Sequence, residues 1–463
     1  MIEPSLTERL ADWQLARRAG GFAAADLEAA RLLVLDWLGA ALAGLGTDTG
    51  RIFLDYARLQ PAGRVSLLGL AEGRSVEVAA LVNGALSHIV EMDDVERASV
   101  THPGAVVVPA ALAVAERVGA AGRDFLAAVV AGYEVMVRVG AALGPEHYHH
   151  FHNTSTAGVF GAAAAAGWLL DLDRNRLVWA LGNAGTQAAG LWQFNEEGAL
   201  TKPLHPGRAA ANGVLAATLS RLGLTGARQI LEGERGFFAG LAPRGTPLRV
   251  VEHLGEPGAA LRVHAISIKP HASCRHTHAP IDAALALRAQ IGAVDTIAAV
   301  QVDTYQAALT LCDKPDPRSA PDAKFSLQYC VAMALLRGRV GLAEFEPDAL
   351  ADPAVRDLLT RVTVGMDAAR EAAYPATWSA GVSVQLRDGR RLAAAQDRPK
   401  GDPENPLSPQ ELEAKFRQLA AYGGLDALRT DQALAWLRGL PAAAQLDGEP
   451  LRSPAAPSAA TVQ

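Results

Sequence analysis

The sequence predicts a mainly α protein with a large helical domain and a smaller α+β domain. Apolar residues recur at helical spacing through roughly the first 260 residues, with short polar breaks between the periodic segments. After Gly255 the composition changes, and stretches such as Ala298–Tyr305 alternate in polarity and are rich in β-branched residues, which is typical of strands. Asp388 and Gly389 separate two further stretches of this kind and predict a hairpin turn.

Each element is predicted from its periodicity and its flanking residues. The helices expected in the first domain are Leu6–Arg18, Ala25–Leu45, Val76–Met92, Gly104–Val118, Leu126–Leu143, Thr154–Leu170, Arg174–Gly190, His205–Gly223 and Ala227–Leu231. The second domain is expected to hold strands at Ala298–Tyr305, Arg361–Val364, Val382–Leu386 and Arg390–Ala394, and a helix at Phe325–Leu336.

The composition shifts also predict where the domains meet. We assign residues 1–265 to the helical domain and residues 266–400 to the α+β domain. Residues 401–449 begin with a Pro-rich linker and contain two more helices, which are expected to return to the helical domain. Residues 450–463 are rich in Pro, Ala and Ser and predict a disordered tail.

Overall composition narrows the functional class. The chain has 463 residues, of which 50% are hydrophobic and 20% charged, so it is expected to be globular. A net charge of −6 gives no support for binding to nucleic acid or to an anionic membrane surface. Cys274, Cys312 and Cys330 form no CxxC pair, and a reducing cytoplasm is the simplest compartment. The longest apolar run, Thr156–Leu170, is too short for a membrane span.

The stretch Ile266–Asp282 has the densest set of reactive side chains. Lys269 precedes a proline and is therefore expected to be extended, whereas Thr277 is expected to cap a helix on which His278 occupies the first turn. The positive end of that helix disfavours a second proton, so a neutral His278 is predicted. Cationic side chains beside free backbone N–H groups at a helix start are typical of an anion-binding site, and we predict such a site in this stretch. The alternative interpretation is a solvated loop.

A second polar island, Glu91–Gly104, has the composition of an acid–base site. Two adjacent carboxylates at a helix end, followed by His102 before the next helix, suit a general base with an orienting partner. The alternative is that Asp94 and Thr101 only cap helices.

Two further polar islands of the sequence carry histidines and a lysine. Glu146–Thr154 contains four histidines, most of which are expected in an exposed turn, and Thr201–Arg208 contains Lys202 and His205.

No HExxH or CxxC pattern is present in the sequence, so no metal is expected. The sequence also lacks a Gly-rich nucleotide motif and a GxSxG elbow, so no nucleotide cofactor and no α/β-hydrolase chemistry are expected.

In this order the islands resemble those of the MmgE/PrpD family, from about Asp36 to about Leu440. That family includes 2-methylcitrate dehydratases, cis-aconitate decarboxylase and an iminodisuccinate epimerase. The motifs that carry the resemblance are NGALSHIVEMDDVERASVTHPG, HNTSTAGVFGAAAAAG, TKPLHPGRAA, IKPHASCRHTHAPIDAA and AKFSLQYCVAMALL. The resemblance implies that the smaller domain is a lid, that the protein is a homodimer without a cofactor, and that its active site lies in the cleft between domains.

The resemblance also implies the site residues. Carried over by position they are Asp93, His102, His152, Lys202, Lys269 and His278, with Tyr329 nearby. We predict catalytic roles for His102, His152, Asp93, Lys269 and His278, and substrate contacts for Lys202, Arg275, Glu91, Cys274 and Tyr329. The chain departs from the family pattern at Glu91, where many members have Asp, and at Val95, where many have Thr. The decarboxylase branch has a histidine at about the position of Cys274.

The predicted reaction is removal of a proton from a carbon beside a carboxylate. His102 is the first choice for the base, with Asp93 or Asp94 orienting it, and His152 or Lys269 would protonate a leaving hydroxyl. Lys202, Lys269 and Arg275 would hold the substrate carboxylates. We predict dehydration of a 2-methylcitrate-like tricarboxylate; an epimerase, a decarboxylase and a non-catalytic metabolite-binding protein remain alternatives.

Overall fold

The computed structural model describes residues 3–448 and 451–452, and the chain forms two compact units. The first unit comprises residues 1–89, 93–266 and 413–463, and the second comprises residues 90–92 and 267–412. The described part of the first unit is helical except for short extended segments, and the second unit combines helices with a sheet. The expected mainly α class, with a smaller α+β part, is therefore confirmed.

The first unit is built from thirteen consecutive helices and two C-terminal ones, within the described residues. They are α1 (Leu6–Gly20), α2 (Ala24–Leu45), α3 (Asp48–Arg58), α4 (Val76–His88), α5 (Gly104–Val118), α6 (Gly122–Ala141), α7 (Pro145–His150), α8 (Asn153–Thr156), α9 (Gly158–Leu169), α10 (Arg174–Gly185), α11 (Gln193–Glu197), α12 (Leu204–Arg221), α13 (Phe237–Leu241), α21 (Pro409–Tyr422), which begins in the second unit, and α22 (Ala427–Gly439). Short 3₁₀ helices lie at Pro247–Val251, Arg262–Ala265 and Leu440–Ala442.

Helix α9 forms the centre of this unit. Its small residues let the neighbouring helices α6 and α12 approach closely. A Cβ added at Gly161 would lie 2.6 Å from Met136 Cβ and 2.8 Å from the Gly132 carbonyl oxygen, and one added at Gly213 would lie 2.4 Å from Ala162 Cβ. The Ala- and Gly-rich composition of α9 therefore follows from close helix packing in a densely packed interior.

Helices α4 and α5 present the polar island between them. Ser75 caps the start of α4, and Pro103 precedes the first residue of α5. We predicted that α4 would continue to Met92, but it ends at His88 because the chain turns there, and Glu91 adopts a left-handed φ of 59°. Val100 has a left-handed φ of 51°. Such conformations are strained in residues other than glycine, and they concentrate at functional sites.

The second unit contains a four-stranded sheet. Its strands are β3 (Ile297–Thr304), β4 (Val362–Met366), β5 (Ala380–Leu386) and β6 (Arg391–Gln396), in the order β4-β3-β5-β6, with β3 and β4 parallel and the other pairs antiparallel. The two-residue strands β1 (Val95–Glu96) and β2 (Ile266–Ser267) lie outside this sheet. Gly389, with φ of 93°, makes the predicted turn between β5 and β6.

The helices of the second unit surround this sheet, and α14 packs against β5 and β6. They are α14 (His278–Ile291), α15 (Gln306–Cys312), α16 (Ala320–Lys324), α17 (Leu327–Arg337), α18 (Pro347–Ala351), α19 (Pro353–Leu359) and α20 (Ala368–Ala373), with 3₁₀ helices at Arg275–Thr277, Val294–Thr296 and Leu342–Phe345. Helix α14 begins at His278, as predicted, but Thr277 does not cap it through its side chain, which bonds to the Cys274 carbonyl oxygen instead.

Three details differ from the sequence-based expectations. Ala227–Leu231 forms turns instead of a helix, because this short segment lies between Gly226 and Gly233 and cannot repay the cost of helix nucleation. Residues 401–412 belong to the second unit instead of to the C-terminal return, and residues 90–92 join the second unit as well. The predicted tail at 450–463 lies outside the described residues except for Leu451 and Arg452.

No helix in the described part of the chain is both long enough and apolar enough to cross a bilayer by itself. Helices α2 and α3, joined with a 90° bend, together satisfy the criteria of length and composition.

Candidate active site

The first unit contains a cluster of four histidines around Asp93. The rings of His88 and His102 lie 4.9 Å apart between centroids, those of His88 and His152 lie 5.4 Å apart, and those of His152 and His205 lie 5.5 Å apart. These residues come from the end of α4, the loop before α5, the residue before α8 and the start of α12. Two of the predicted catalytic histidines, His102 and His152, are therefore brought together in one unit.

His102 is oriented by the loop that precedes it. Its Nδ1 lies 2.7 Å from the backbone carbonyl oxygen of Asp94 and 3.2 Å from Asp93 Oδ2. Because a carbonyl oxygen can only accept, Nδ1 carries the hydrogen, and the lone pair of the neutral ring is on Nε2. The His102 side chain is 12% exposed, whereas those of His88 and Asp93 are at most 1% exposed.

His88 is a member of the cluster that the sequence analysis did not single out. It is the last residue of α4 and is fully buried, and its Nδ1 donates to Asp93 Oδ2 over 2.6 Å. Its Nε2 has no hydrogen-bond partner among the described residues. One carboxylate oxygen of Asp93 therefore lies close to two imidazoles, and Asp93 can hold both rings in position.

His152 and His205 form a pair of neutral rings. Their Nδ1 atoms are 3.3 Å apart, so one ring donates and the other accepts. Burial lowers the pKa of His152 well below its ordinary value, and repulsion from neighbouring basic groups, including Lys202, lowers it further. Burial, His88 and Lys202 together lower the pKa of His205 to about 4. Lys202 therefore lies close enough to both rings to influence their protonation.

Asp94 has a structural role beside this cluster. Its Oδ1 accepts from the Gly104 backbone N–H at the start of α5, and its Oδ2 accepts from the Tyr133 hydroxyl. Burial and the nearby Asp36 carboxylate raise the pKa of Asp94 to about 8, although its two hydrogen bonds act in the opposite direction. The helix-capping interpretation thus applies to Asp94, and only its backbone carbonyl contacts His102.

We expect Asp94 to make stability depend on pH. Its ordinary pKa of 3.8 rises to about 8 in the folded protein, so the folded state retains a proton that the unfolded state loses. The free energy of unfolding should therefore fall as pH rises from about 4 to about 8. Asp94→Asn should remove this part of the dependence in denaturant titrations between pH 5 and 9. Parallel curves for the parent and Asp94→Asn would contradict the assignment, and the exposed Asp348→Asn is the control.

One group of possible metal ligands occurs among the described residues. Ligand atoms of His88, Asp93 and His102 all lie within 4.8 Å of one another. However, His88 Nδ1 is only 2.6 Å from Asp93 Oδ2, whereas two ligands about 2.0–2.1 Å from a tetrahedral zinc ion would be roughly 3.3 Å apart. The spacing is that of a hydrogen bond, and we retain the prediction that activity needs no metal.

Metal independence is directly testable. Dialysis against a strong chelator should leave both turnover and the melting temperature within error of the untreated protein, because His88, Asp93 and His102 already hold one another by hydrogen bonds. A large loss of activity that zinc or iron restores would show that these residues hold a required ion.

The second unit contains a buried ion pair between Lys269 and Glu91. Lys269 Nζ lies 3.1 Å from Glu91 Oε2, and their side chains are 0% and 6% exposed. Lys269 follows β2 in a non-helical segment, as expected. A buried ammonium needs a carboxylate partner because its desolvation is expensive. Glu91 therefore has a local role, which is to balance the charge of Lys269.

Arg275 and His278 also bond to each other within the second unit. Arg275 Nη1 donates to His278 Nδ1 over 2.8 Å, and Nη2 donates to Asp402 Oδ1. His278 Nε2 lies 3.2 Å from the Ser273 carbonyl oxygen, to which it donates. Arg275 is thus not the open carboxylate clamp that we predicted, because Asp402 and His278 occupy its guanidinium. His278 uses both ring nitrogens within the protein, so a supporting role replaces the predicted catalytic one.

The protonation state of His278 agrees with the prediction, but the cause differs. Burial lowers the pKa of His278 well below its ordinary value, and the positive charge of Arg275 lowers it further. We had attributed neutrality to the start of the helix. Solvent exclusion is the largest of these contributions, ahead of the charge on Arg275.

Cys274 and Tyr329, predicted as substrate contacts, have mostly structural partners. Cys274 packs in an apolar cluster with Cys312, Phe325 and Leu327. Burial and a hydrogen bond with Cys274 raise the pKa of Cys312 well above its ordinary value. Tyr329 is fully buried, and its hydroxyl donates to the Glu344 carbonyl oxygen over 2.6 Å. Tyr329 therefore contributes to packing of the second unit.

Comparison with known families identifies the chain over most of its length. The MmgE/PrpD N-terminal domain matches residues 8–247, and the MmgE/PrpD C-terminal domain matches residues 271–437. The chain belongs to the MmgE/PrpD family. Its two structural units agree with a family defined by two domains, although residues after 412 return to the first unit.

Curated relatives within the MmgE/PrpD family have two different activities. Human cis-aconitate decarboxylase is 29% identical over 442 residues, which cover 91% of this chain and 89% of that protein. Cis-aconitate decarboxylase of Aspergillus terreus is 26% identical over 417 residues, which cover 85% of each chain. 2-Methylcitrate dehydratase of Cupriavidus necator is 27% identical over 243 residues, about half of each chain.

Proposed function

We propose that this MmgE/PrpD protein is a cofactor-independent lyase that removes a proton from the carbon beside a carboxylate of a small tricarboxylate. The net reaction that we favour is dehydration of a 2-methylcitrate-like substrate. The observation that carries the proposal is the arrangement of His102. Its Nδ1–H donates to the Asp94 carbonyl oxygen and lies near Asp93, so the basic lone pair is on Nε2. His102 is also the most exposed of the four histidines in the cluster.

The proposed step needs positive charge near the substrate. Removal of the carbon-bound proton by His102 leaves an enediolate, whose extra negative charge must be stabilised. Lys202 and Lys269 are the cations that we assign to the substrate carboxylates. Arg275 is left out because Asp402 and His278 already occupy its guanidinium. At Lys269 a substrate carboxylate would have to take the place of the Glu91 carboxylate.

The leaving hydroxyl takes a proton as the carbon–oxygen bond breaks, which gives an alkene and water. His152 is the first choice for this donor and Lys269 the second. In the protein alone, burial disfavours the protonated form of His152. A bound tricarboxylate brings negative charge to the ring and raises its pKa, so substrate binding itself would favour the acid form.

Decarboxylation is the second candidate, because the similarity to human cis-aconitate decarboxylase spans 91% of the chain, whereas the similarity to the Cupriavidus dehydratase spans half. Cys274 argues against it. The decarboxylase branch is expected to have a histidine near this position, and here a thiol packs against Cys312 and Phe325. An imidazole moves protons near neutral pH more readily than a thiol in an apolar cluster does.

A substrate panel distinguishes these reactions. The protein is incubated separately with 2-methylcitrate, citrate, cis-aconitate and iminodisuccinate, and products are followed by NMR. We expect 2-methylcitrate to give an alkene that absorbs in the ultraviolet. Itaconate and carbon dioxide from cis-aconitate would instead establish the decarboxylase, and stereochemical scrambling of iminodisuccinate would establish an epimerase. Binding without turnover of any of the four would contradict the proposed lyase.

A further inference from the structure

A second cavity in the first unit has a different chemistry from the histidine cluster. It has a volume of about 1010 Å³ and is lined by four arginines, Arg64, Arg74, Arg117 and Arg221, with Glu77 as its one lining carboxylate. The net charge of the whole chain is −6, whereas four guanidinium groups and one carboxylate make the lining of this cavity locally positive. We propose that this cavity binds an organic phosphate of the nucleotide class.

Three of the four arginines of this cavity are available for a ligand. The side chains of Arg64, Arg117 and Arg221 make no hydrogen bond or ion pair with any residue in the described part of the chain. Arg51 on α3, by contrast, is paired with Asp48. Free guanidinium forks match the geometry of phosphate oxygens, to which they can donate two parallel hydrogen bonds.

Arg74 provides an independent, buried donor. It is 6% exposed, and its Nε donates to the Ala57 carbonyl oxygen while Nη1 donates to the Gly73 carbonyl oxygen. Its Nη2 makes no hydrogen bond with a described residue. The backbone thus holds this guanidinium in place, and Nη1 also lies 3.9 Å from Glu72 Oε2, so Nη2 is the amino group that we assign to an anion.

The start of α4 adds to the positive potential. Ser75, Val76 and Glu77 line the cavity, and Ser75 accepts a hydrogen bond from the Val78 N–H, which leaves the first backbone donors of the helix at the wall. Helix starts favour phosphate groups. The same helix ends at His88, about 20 Å away at 1.5 Å per residue over its 13 residues, so the cavity is separate from the candidate active site.

The cavity also has an apolar wall, which is why we infer an organic phosphate instead of an inorganic one. Val65, Val114 and Leu170 line it, together with Val118 and Leu222, which are 40% and 80% exposed. An exposed leucine and valine beside guanidinium groups suit a ligand with a flat apolar part and a charged part. A nucleotide has both, since its base can cover the aliphatic side chains while its phosphates reach the arginines.

The probes are ATP, adenosine and inorganic pyrophosphate, measured by titration calorimetry without divalent ions. We expect saturable binding of ATP that is at least tenfold tighter than binding of adenosine or of pyrophosphate. The double variant Arg117→Gln/Arg221→Gln should weaken ATP binding at least tenfold. Arg123→Gln, an exposed arginine on α6 outside the cavity, should leave it unchanged.

Three outcomes would overturn the proposal: no saturable ATP binding at millimolar concentration, equal affinity in the double variant and the parent, or pyrophosphate binding as tight as ATP binding. Circular dichroism and melting curves establish that the double variant is folded, which is expected because both positions are exposed. ATP affinity in His102→Gln should equal that of the parent, so this test does not depend on the proposed lyase activity.

Discussion

His102→Gln is expected to keep the fold and to slow turnover by about a thousandfold, within the roughly 10²–10⁴ range of a lost general base. Glutamine is similar in size and can still donate a hydrogen bond to the Asp94 carbonyl oxygen, but it has no basic nitrogen. The loss should therefore be in kcat, with KM changed much less. Steady-state rates on the substrate identified by the panel provide the measurement.

His149→Gln is the matched control for that experiment. His149 lies on α7 and is exposed, and among the described residues its ring contacts only that of His150. This variant should retain parental turnover. If His102→Gln also turns over near the parental rate, His102 is not the base, and His152 is the first replacement to examine.

Lys269→Met is expected to reduce both stability and activity. Removing one partner of a buried ion pair leaves the other charge uncompensated, and here the Glu91 carboxylate would remain buried without its ammonium. The expected loss in the free energy of unfolding is about 3–5 kcal/mol. Denaturant titration measures the loss, and turnover is measured under conditions in which the variant is folded.

The double variant Glu91→Gln/Lys269→Met separates the two roles of this lysine. Replacing both charges removes the uncompensated carboxylate, so most of the lost stability should return. Activity should stay low, because the cation assigned to the substrate is still missing. Recovery of activity together with stability would show that Lys269 serves only the fold, and a single variant as stable as the parent would contradict the buried pair itself.

The parts of the fold that could be predicted from sequence are those with long regular periodicity. Helix α5 was predicted at its observed bounds, Gly104–Val118, because a proline and an apolar repeat define its start and its face. The hairpin at Asp388 and Gly389 was equally clear. The end of α4 was missed because the turn at Glu91 depends on a left-handed residue that propensity disfavours.

The composition of the candidate site was predictable, but the partners of its residues were not. Clustered basic residues identified the stretch around Arg275, yet the carboxylate that occupies this arginine is Asp402, 127 positions away in the chain. Lys269 and Glu91 are 178 positions apart. Such pairs depend on tertiary structure, so a sequence pattern can show that a charge is present without showing whether a ligand or the protein neutralises it.

His88 was missed for a related reason. A single histidine at the end of an apolar helix resembles an ordinary core residue, and only its contact with Asp93 makes it part of the cluster. The one signal in the sequence was that Asp93 follows His88 by five residues within the motif NGALSHIVEMDDVERASVTHPG. Periodicity alone gave no reason to connect a helix end with the loop that follows it.

Proton exchange at carbon tests the central claim most directly. Dehydration in reverse, decarboxylation and epimerisation all place a solvent proton on carbon, so reactions in heavy water followed by NMR report the shared step whichever product forms. With the alkene product supplied as the starting compound in heavy water, we predict deuterium beside the carboxylate of the hydrated acid with the parent and with His149→Gln, and a rate of incorporation about a thousandfold lower with His102→Gln. Parental incorporation by His102→Gln, or hydration of the alkene without deuterium at that carbon, would contradict proton transfer by His102.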